Sequence, residues 1–468
     1  MKKLKIFILT LTVGLFATTS CKFGDINMDP TQLSDAGLNA ILPAAMGQTV
    51  FNLGTEGGRA AGIFMQQLAG NEAQQLALQD YVVDQQTFDN FWAFGLYAGS
   101  MKDCDILITK GTQKNQPYYI GIGKILMAVN LGNATLCWGD IPYTQAFKGD
   151  QGGLSLKPSY DTQESIYSTI QSLLNDAITE LKKPAVAGGP GPDDLLFDGD
   201  PAKWMATAYA LKARYYMHLV KRDVNASAEA LIALANAFQS NSDEPLFEKF
   251  GTNGANDANP LGQMGAQRPN TLIILPDFNA NMDAKSDPRI PSYMAFDGTN
   301  WVYFTGPSGL FWTSYTSPIP LISYSEVKFL EAEARLRTND AAGAATALAA
   351  AIKANMNRLG VDGTTYIASY GNFAGLSTTA EKLERIIEEK YYALYAQGWL
   401  EIWTDFRRTG YPVLTPNPKG INGADPSGVI PRRFPYPTSE KFSNTENEKA
   451  AADRQGGDLL DSDLWAFK

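Results

Sequence analysis

The sequence predicts an all-α, tetratricopeptide-like protein in which a helical scaffold carries long loop insertions. Helix-start signals recur ahead of apolar residues spaced at the helical period. The helices fall into pairs of about the length of a tetratricopeptide unit, whose members must stack because neither buries its apolar face alone. Between the pairs lie stretches rich in Gly, Asn, Pro and aromatics that show no sustained period. With 44% apolar and 19% charged residues in 468, the chain has material for a large core.

The elements follow in order. Residues 1–20 read as a secretory leader: Lys2, Lys3 and Lys5 precede an apolar core from Ile6 to Phe16, too short to span a bilayer. Thr18, Thr19 and Ser20 then run directly into Cys21, the setting in which a bacterial leader is cut and the new N-terminal cysteine acylated, although Thr18 stands where Leu is usual. Several acyl chains, each contributing about 0.8 kcal/mol per buried methylene, would hold the protein firmly on a membrane. Removing the three lysines takes the formal charge from −10 to −13. Such an acidic chain is poorly suited to nucleic acid. Cys104 and Cys137 remain, as two buried hydrophobes or one bridge, and are too few for a cysteine zinc site.

Asp161 and Glu164 are spaced as a capping box ahead of Ile166, Ile170, Leu173, Ala177 and Leu181, and Pro184 ends that helix. Asp200 and Pro201 open the next, with Trp204, Ala208, Leu211 and Tyr215 on one face. A shorter helix covers about 228–239. Ser323 and Glu326 make a second box, Asp340 starts the partner helix, and Gly360 closes the pair. The final long helix spans about 379–408 with a break near Gly398. Loop insertions occupy about 240–320 and 409–446, where function tends to reside.

Five segments in fixed order carry a family likeness: CWGDIPYTQAF (Cys137–Phe147), SDPRIPSY (Ser286–Tyr293), SYSEVKFLEAEARLRTND (Ser323–Asp340), EIWTDFRRTGYP (Glu401–Pro412) and PRRFPYPTSEKFSN (Pro431–Asn444). Together the chain resembles the SusD/RagB nutrient-binding lipoproteins, in particular the branch called SusD-like 2. The resemblance extends from Asp25 to the C-terminus. It implies a single domain over residues 21–468, built as a right-handed helical superhelix with a loop-rich ligand face. It also implies a lipid anchor at the outer membrane, oligosaccharide as ligand, no enzymatic activity, and a SusC-like TonB-dependent transporter as partner.

The residues themselves offer little to catalysis. His218 is the sole histidine, so a Ser-His-Asp triad or a multi-histidine metal site lacks material, and a structural role on the Tyr215 stripe is expected. DINMD (Asp25–Asp29) begins like a calcium loop, but Pro30 and Ala36 stand where Gly and Glu are needed. The four aspartates of residues 188–200 could hold calcium, but read first as a solvated turn that caps the next helix. Glu388 and Glu389 read as a solvated helix face. Arg407 and Arg408 read as a structural ion pair or helix-end charges, and Gly121, Gly123 and Gly132 as helix-packing glycines. No cofactor is expected.

Sugar rings present apolar faces that stack on flat side chains, while their hydroxyls need amide and carboxylate partners. Residues 293–315 concentrate aromatics in a Gly-, Ser- and Thr-rich setting. Trp301, Trp312 and Tyr303, with Tyr81, are the expected stacking platform. Residues 66–81, with Gln67, Asn71 and Gln74, form a second candidate wall. Capture of peptide or another nutrient, a protein-binding tetratricopeptide scaffold and a glycoside hydrolase are the alternatives. The leader makes one prediction: Cys21→Ala should move the protein from the membrane to the soluble fraction, whereas unchanged retention with residues 1–20 intact by mass spectrometry would contradict acylation.

Overall fold

The computed structural model describes residues 36–149, 156–253, 257–304, 306, 309–420 and 428–468. The leader, Cys21 and the Asp25–Asp29 segment lie outside the described residues. Within Leu38–Lys468, one compact unit, helix ends follow local chemistry. Asp200 accepts hydrogen bonds from the Ala202 and Lys203 N–H groups ahead of the Pro201–His218 helix. Asp340 accepts from Gly343 N–H ahead of Ala341–Leu359, which ends at Gly360 in the left-handed region (φ 69°).

Two expected caps are rearranged. Thr162, not Asp161, caps the Gln163–Leu181 helix by accepting from Ser165 N–H. Asp161 instead accepts from the Tyr143 and Thr144 N–H groups and the Thr144 hydroxyl, fixing the turn that follows Trp138. Ser323 does cap Tyr324–Arg337 through Glu326 N–H, but the Glu326 carboxylate turns away to grip Arg214. A full reciprocal box occurs at Thr378 and Glu381. The stretch predicted over 379–408 is interrupted near Gly398 as expected: Thr379–Ala393 and Trp399–Thr409 are separate helices, with Ala396 at φ 61° between them. On the Gln163–Leu181 helix Leu174 rather than Leu173 is buried.

Each scaffold helix packs on the next. Met101–Gln113 lies on Pro117–Trp138, followed by Gln163–Leu181, Pro201–His218, Ala226–Leu234, Tyr324–Arg337 and Ala341–Leu359. This is the tetratricopeptide-like stack. Pro117–Trp138 is long and apolar enough to cross a membrane, yet it is almost wholly buried between its neighbours. Its glycines explain the close approach: a Cβ at Gly121 would lie 2.6 Å from Leu181 Cγ, one at Gly123 3.0 Å from Ile108, and one at Gly132 would overlap the Tyr215 ring. Cys104 and Cys137 are free thiols buried in this region.

Three antiparallel ribbons are the strands among the described residues. Leu68–Gly70 pairs with Leu272–Ile274, Leu246–Phe247 with Ile319–Pro320, and Ala295–Phe296 with Trp301–Val302. The first fastens the middle of the 240–320 insertion to the early chain, and the second joins the insertion's two ends to each other.

Beneath the insertions runs a buried ionic network. Arg214 pairs with Glu326 at 2.7 Å and approaches Glu401 at 3.7 Å. Glu401 also bonds His218 Nε2 at 2.8 Å, and the other His218 nitrogen lies 3.1 Å from the Tyr167 hydroxyl. Lys390 meets Asp405 at 2.9 Å, Asp405 pairs with Arg408 at 2.6 Å, and Arg408 pairs directly with Glu333, which Arg337 contacts at 2.7 Å. A second cluster corrects the expected solvated face at 388–389: Glu389 is fully buried, bonded to the Tyr366 hydroxyl and paired with Lys285 and Arg289.

Burial alone would raise the Glu333 carboxyl, but Arg408 and then Arg337 outweigh it and hold the group at about 2 against an ordinary 4.5. That stabilisation, about 3 kcal/mol, is therefore complete above roughly pH 4.5 and lost as pH falls toward 2. Glu333→Gln should lower unfolding free energy by about 3–5 kcal/mol and flatten the acid-induced fall of Tm across that window. Lys449→Ala, which breaks an exposed pair, should leave denaturant melts nearly unchanged.

Candidate functional site

A cleft of about 410 Å³ opens where the early helices meet the 240–320 insertion. The Leu38–Gly54 helix brings Gln48, Phe51 and Asn52, and Glu56–Phe64 brings Glu56 and Arg59. Gln74 and Gln75 come from the short Ala73–Gln79 helix, and Met264, Gln267 and Arg268 from Pro260–Gln267 and the residue after it. Close packing sets the insertion helix in place: a Cβ on Gly54 would lie 2.6 Å from Pro260, and one on Gly265 2.5 Å from Phe304.

The fourth wall is the stretch Phe91–Ser100, π-helical up to a kink at Gly99 (φ −98°, ψ −112°), a conformation frequent at functional sites. Side chains from the scaffold satisfy it. Asn52 donates to Gly95 O at 2.8 Å and to Ser100 Oγ at 3.1 Å, and Ser100 itself donates to Gly95 O and to Asn130 Oδ1. Phe91 and Trp92 consequently face the core at 3% exposure, while Phe94 stands 71% exposed at the cleft edge.

The polar lining is under-partnered. Glu56 Oε2, Arg59 Nε and Gln75 Oε1 are buried with no hydrogen-bond partner, although such groups normally find one. Burial raises the Glu56 carboxyl and lowers the Arg59 guanidinium, and their mutual attraction only partly offsets each shift. Exposed and buried amides, a flat exposed ring and unsatisfied polar atoms suit a ligand with hydroxyl or amide groups and apolar faces.

The expected platform is placed differently. Trp312, Tyr303 and Tyr81 are 2%, 3% and 3% exposed, so none presents a free ring face; burial against the scaffold won over exposure. Tyr81 lies beneath Gly420 and accepts a hydrogen bond from Asn417 N–H, pinning the 409–446 insertion. Tyr303 supports the cleft from behind, its phenol raised by burial and opposed by nearby Arg59. Trp301 keeps part of its ring exposed, 5.5 Å from Phe296 on the third ribbon. Of the second candidate wall, Gln74 lines the cleft. Gln67 is buried, donating to Tyr391 O and accepting from Trp399 Nε1, and Asn71 donates to Asn270 O. The Asp194 carboxylate is taken up by Leu196, Phe197 and Gly199 N–H groups and Trp204 Nε1.

Sequence patterning points to neither Arg59 nor Phe94. The signal that could have found the cleft is amide density in NEAQQLALQ (Asn71–Gln79) and GQMGAQ (Gly262–Gln267).

The family motifs instead build scaffold. Arg407 donates to Leu136 O at 2.6 Å and Arg432 O at 3.0 Å, with its guanidinium over the Trp403 and Phe467 rings. Phe434 stacks on Phe88 at 3.7 Å and on Trp403 at 5.0 Å, and Trp138 Nε1 donates to Pro435 O.

Comparison with known proteins agrees with this architecture. A crystal structure of a SusD/RagB family protein from Bacteroides thetaiotaomicron VPI-5482 is 24% identical, with a TM-score of 0.72 over 92% of this chain and 99% of that one. A chitin-binding SusD homolog from Flavobacterium johnsoniae is 22% identical, with a TM-score of 0.78 over 91% and 98%. A SusD homolog from Bacteroides uniformis ATCC 8492 is 22% identical, with a TM-score of 0.75 over 92% and 99%. No curated protein matches significantly in sequence. Residues 30–437 match the SusD-like 2 family model, described as starch-binding and associating with the outer membrane. The chain therefore belongs to the SusD-like family.

Proposed function

We propose that the protein captures oligosaccharide at the outer membrane, binds it without cleavage and passes it to a SusC-like TonB-dependent transporter. The observation that carries the reading is the cleft, in which exposed Phe94 stands beside amides and unsatisfied polar groups. A ring edge or face can hold the apolar side of a sugar while Gln75, Arg59 and Glu56 take its hydroxyl or amide groups. The starch-binding description of the family and the chitin-binding relative support glycan as the ligand class. Glu56 is the single carboxylate among the described lining residues, whereas glycoside hydrolysis ordinarily uses two facing carboxyl groups, which supports binding without bond cleavage.

Acylated Cys21 would tether the chain to the membrane, surface-exposed as in the family. The partnership would need a large, partly polar surface on the lipoprotein that closes over the transporter with the ligand inside. Trp301, beside Phe296, is retained as a further stacking ring.

Titration of residues 22–468 with malto- and chito-oligosaccharides by calorimetry tests the reading. Phe94→Ala should weaken binding about five- to 150-fold, as for the loss of a stacked ring, with circular dichroism and Tm unchanged. Trp312→Ala should instead cost about 3–5 kcal/mol of stability, as for a buried aromatic. Failure of both glycan series to bind, or full binding by the Phe94 variant, would reject the cleft. Gentle solubilisation of the membrane should copurify the lipoprotein with an outer-membrane barrel; recovery of the lipoprotein alone after crosslinking would reject the partnership.

A further inference from the structure

The cleft does not end at Phe51. A second cavity of about 320 Å³ lies on the other side of that ring and shares Gln48 and Phe51 with the first. Its own walls are Phe247, Lys249, Phe250 and Asp257. The two spaces therefore adjoin at Gln48 and Phe51, on one edge of the Leu38–Gly54 helix.

The second cavity is built on fixed elements. Phe247 is 6% exposed and held in the ribbon with Ile319–Pro320. Phe250 packs edge-on against it with ring centroids 4.9 Å apart, and Gly251 N–H donates to Asp257 O at 2.8 Å. A half-buried ring is thus positioned by a buried one, with a cation and a carboxylate beside it, the pairing of apolar face and polar rim that suits a sugar ring. The same features suit the continuation of whatever occupies the first cleft, because a chain crossing Phe51 meets a second aromatic and a second polar set.

We infer that the Phe247–Phe250 cavity is a second subsite, and that the ligand is an extended oligosaccharide running from the Phe94 cleft across Phe51 to Phe250. This rests on the glycan reading above. Binding energy is then shared between two subsites joined through one ligand, so occupancy of the second is an intramolecular event that only longer chains can reach.

Calorimetric titration with chito- and malto-oligosaccharides of two to seven units tests it. In the series that binds, affinity should climb with length and then level off once both cavities are filled. Phe250→Ala should lower affinity for the longest oligomer by about five- to 150-fold, toward that of the short ones, while leaving the short-chain affinity unchanged. Phe94→Ala should weaken every length. Equal affinity for short and long chains of the unaltered protein, a measurement that needs no variant, would overturn the second subsite while leaving glycan binding intact. Equal weakening of short and long chains by a folded Phe250 variant would do the same. Absence of binding by every oligomer in both series would overturn the glycan reading and the subsite with it.

Discussion

The buried ionic network is the constraint on which the rest of the molecule depends. Arg214, Glu326, Glu401, Lys390, Asp405, Arg408 and Glu333 come from four helices, each on a different stretch of sequence, and all seven side chains are almost fully withdrawn from water. Desolvating so many charges is costly, and a pair of hydrophobic residues could often be as stable. What the network supplies is registry: sliding one helix by a turn leaves an uncompensated charge in a dry interior, a far larger penalty than a misfitted methyl group. The helices that carry it, Pro201–His218, Tyr324–Arg337, Thr379–Ala393 and Trp399–Thr409, are fixed relative to one another in this way. The insertions then have a stiff floor on which to lie.

The signature sequences acquire a physical meaning from this arrangement. Glu333 and Arg408 belong to the AEA and RRTG segments and meet across the network. Arg407, one residue away, faces backbone carbonyls and two aromatic rings rather than a carboxylate. Adjacent arginines thus perform unlike tasks: one neutralises buried acids, the other closes the ends of the Pro117–Trp138 helix and the Pro431–Pro437 strap. Substitution by lysine at either place would lose the planar fork that both tasks use. The family motifs are accordingly uninformative about the ligand, since in this chain their side chains build the floor and not the cleft lining.

Helices were legible in the sequence because capping and periodicity are local properties. Asp200, Ser323, Asp340 and Gly360 act as their neighbours in sequence dictate. The departures occur where a distant partner outbid a local one. Asp161 gave its carboxylate to residues 143–144, and Glu326 gave its own to Arg214. Glu389 looked solvated because its partners, Lys285 and Arg289, lie about a hundred residues away. The site was less legible for the same reason. Aromatic density drew attention to the 293–315 loop, but the chain does not reveal which rings turn inward, and Trp312 and Tyr303 did. The exposed ring beside the cleft, Phe94, sits in a run of apolar residues that reads as core, and the π-helical backbone that turns it outward has no local signature.

That π-helical wall has an evolutionary consequence. Its carbonyl at Gly95 is bonded by Asn52 and Ser100, and its inward rings are anchored by the core, so the outward position carries almost none of the cost of folding. A position of this kind can drift. Replacing Phe94 by tryptophan, tyrosine or a small polar residue would alter which surface greets an incoming molecule without disturbing the helices below. The side chain at this position can therefore be exchanged on an unchanged frame, so the chemistry of the cleft edge is separable from the architecture that carries it.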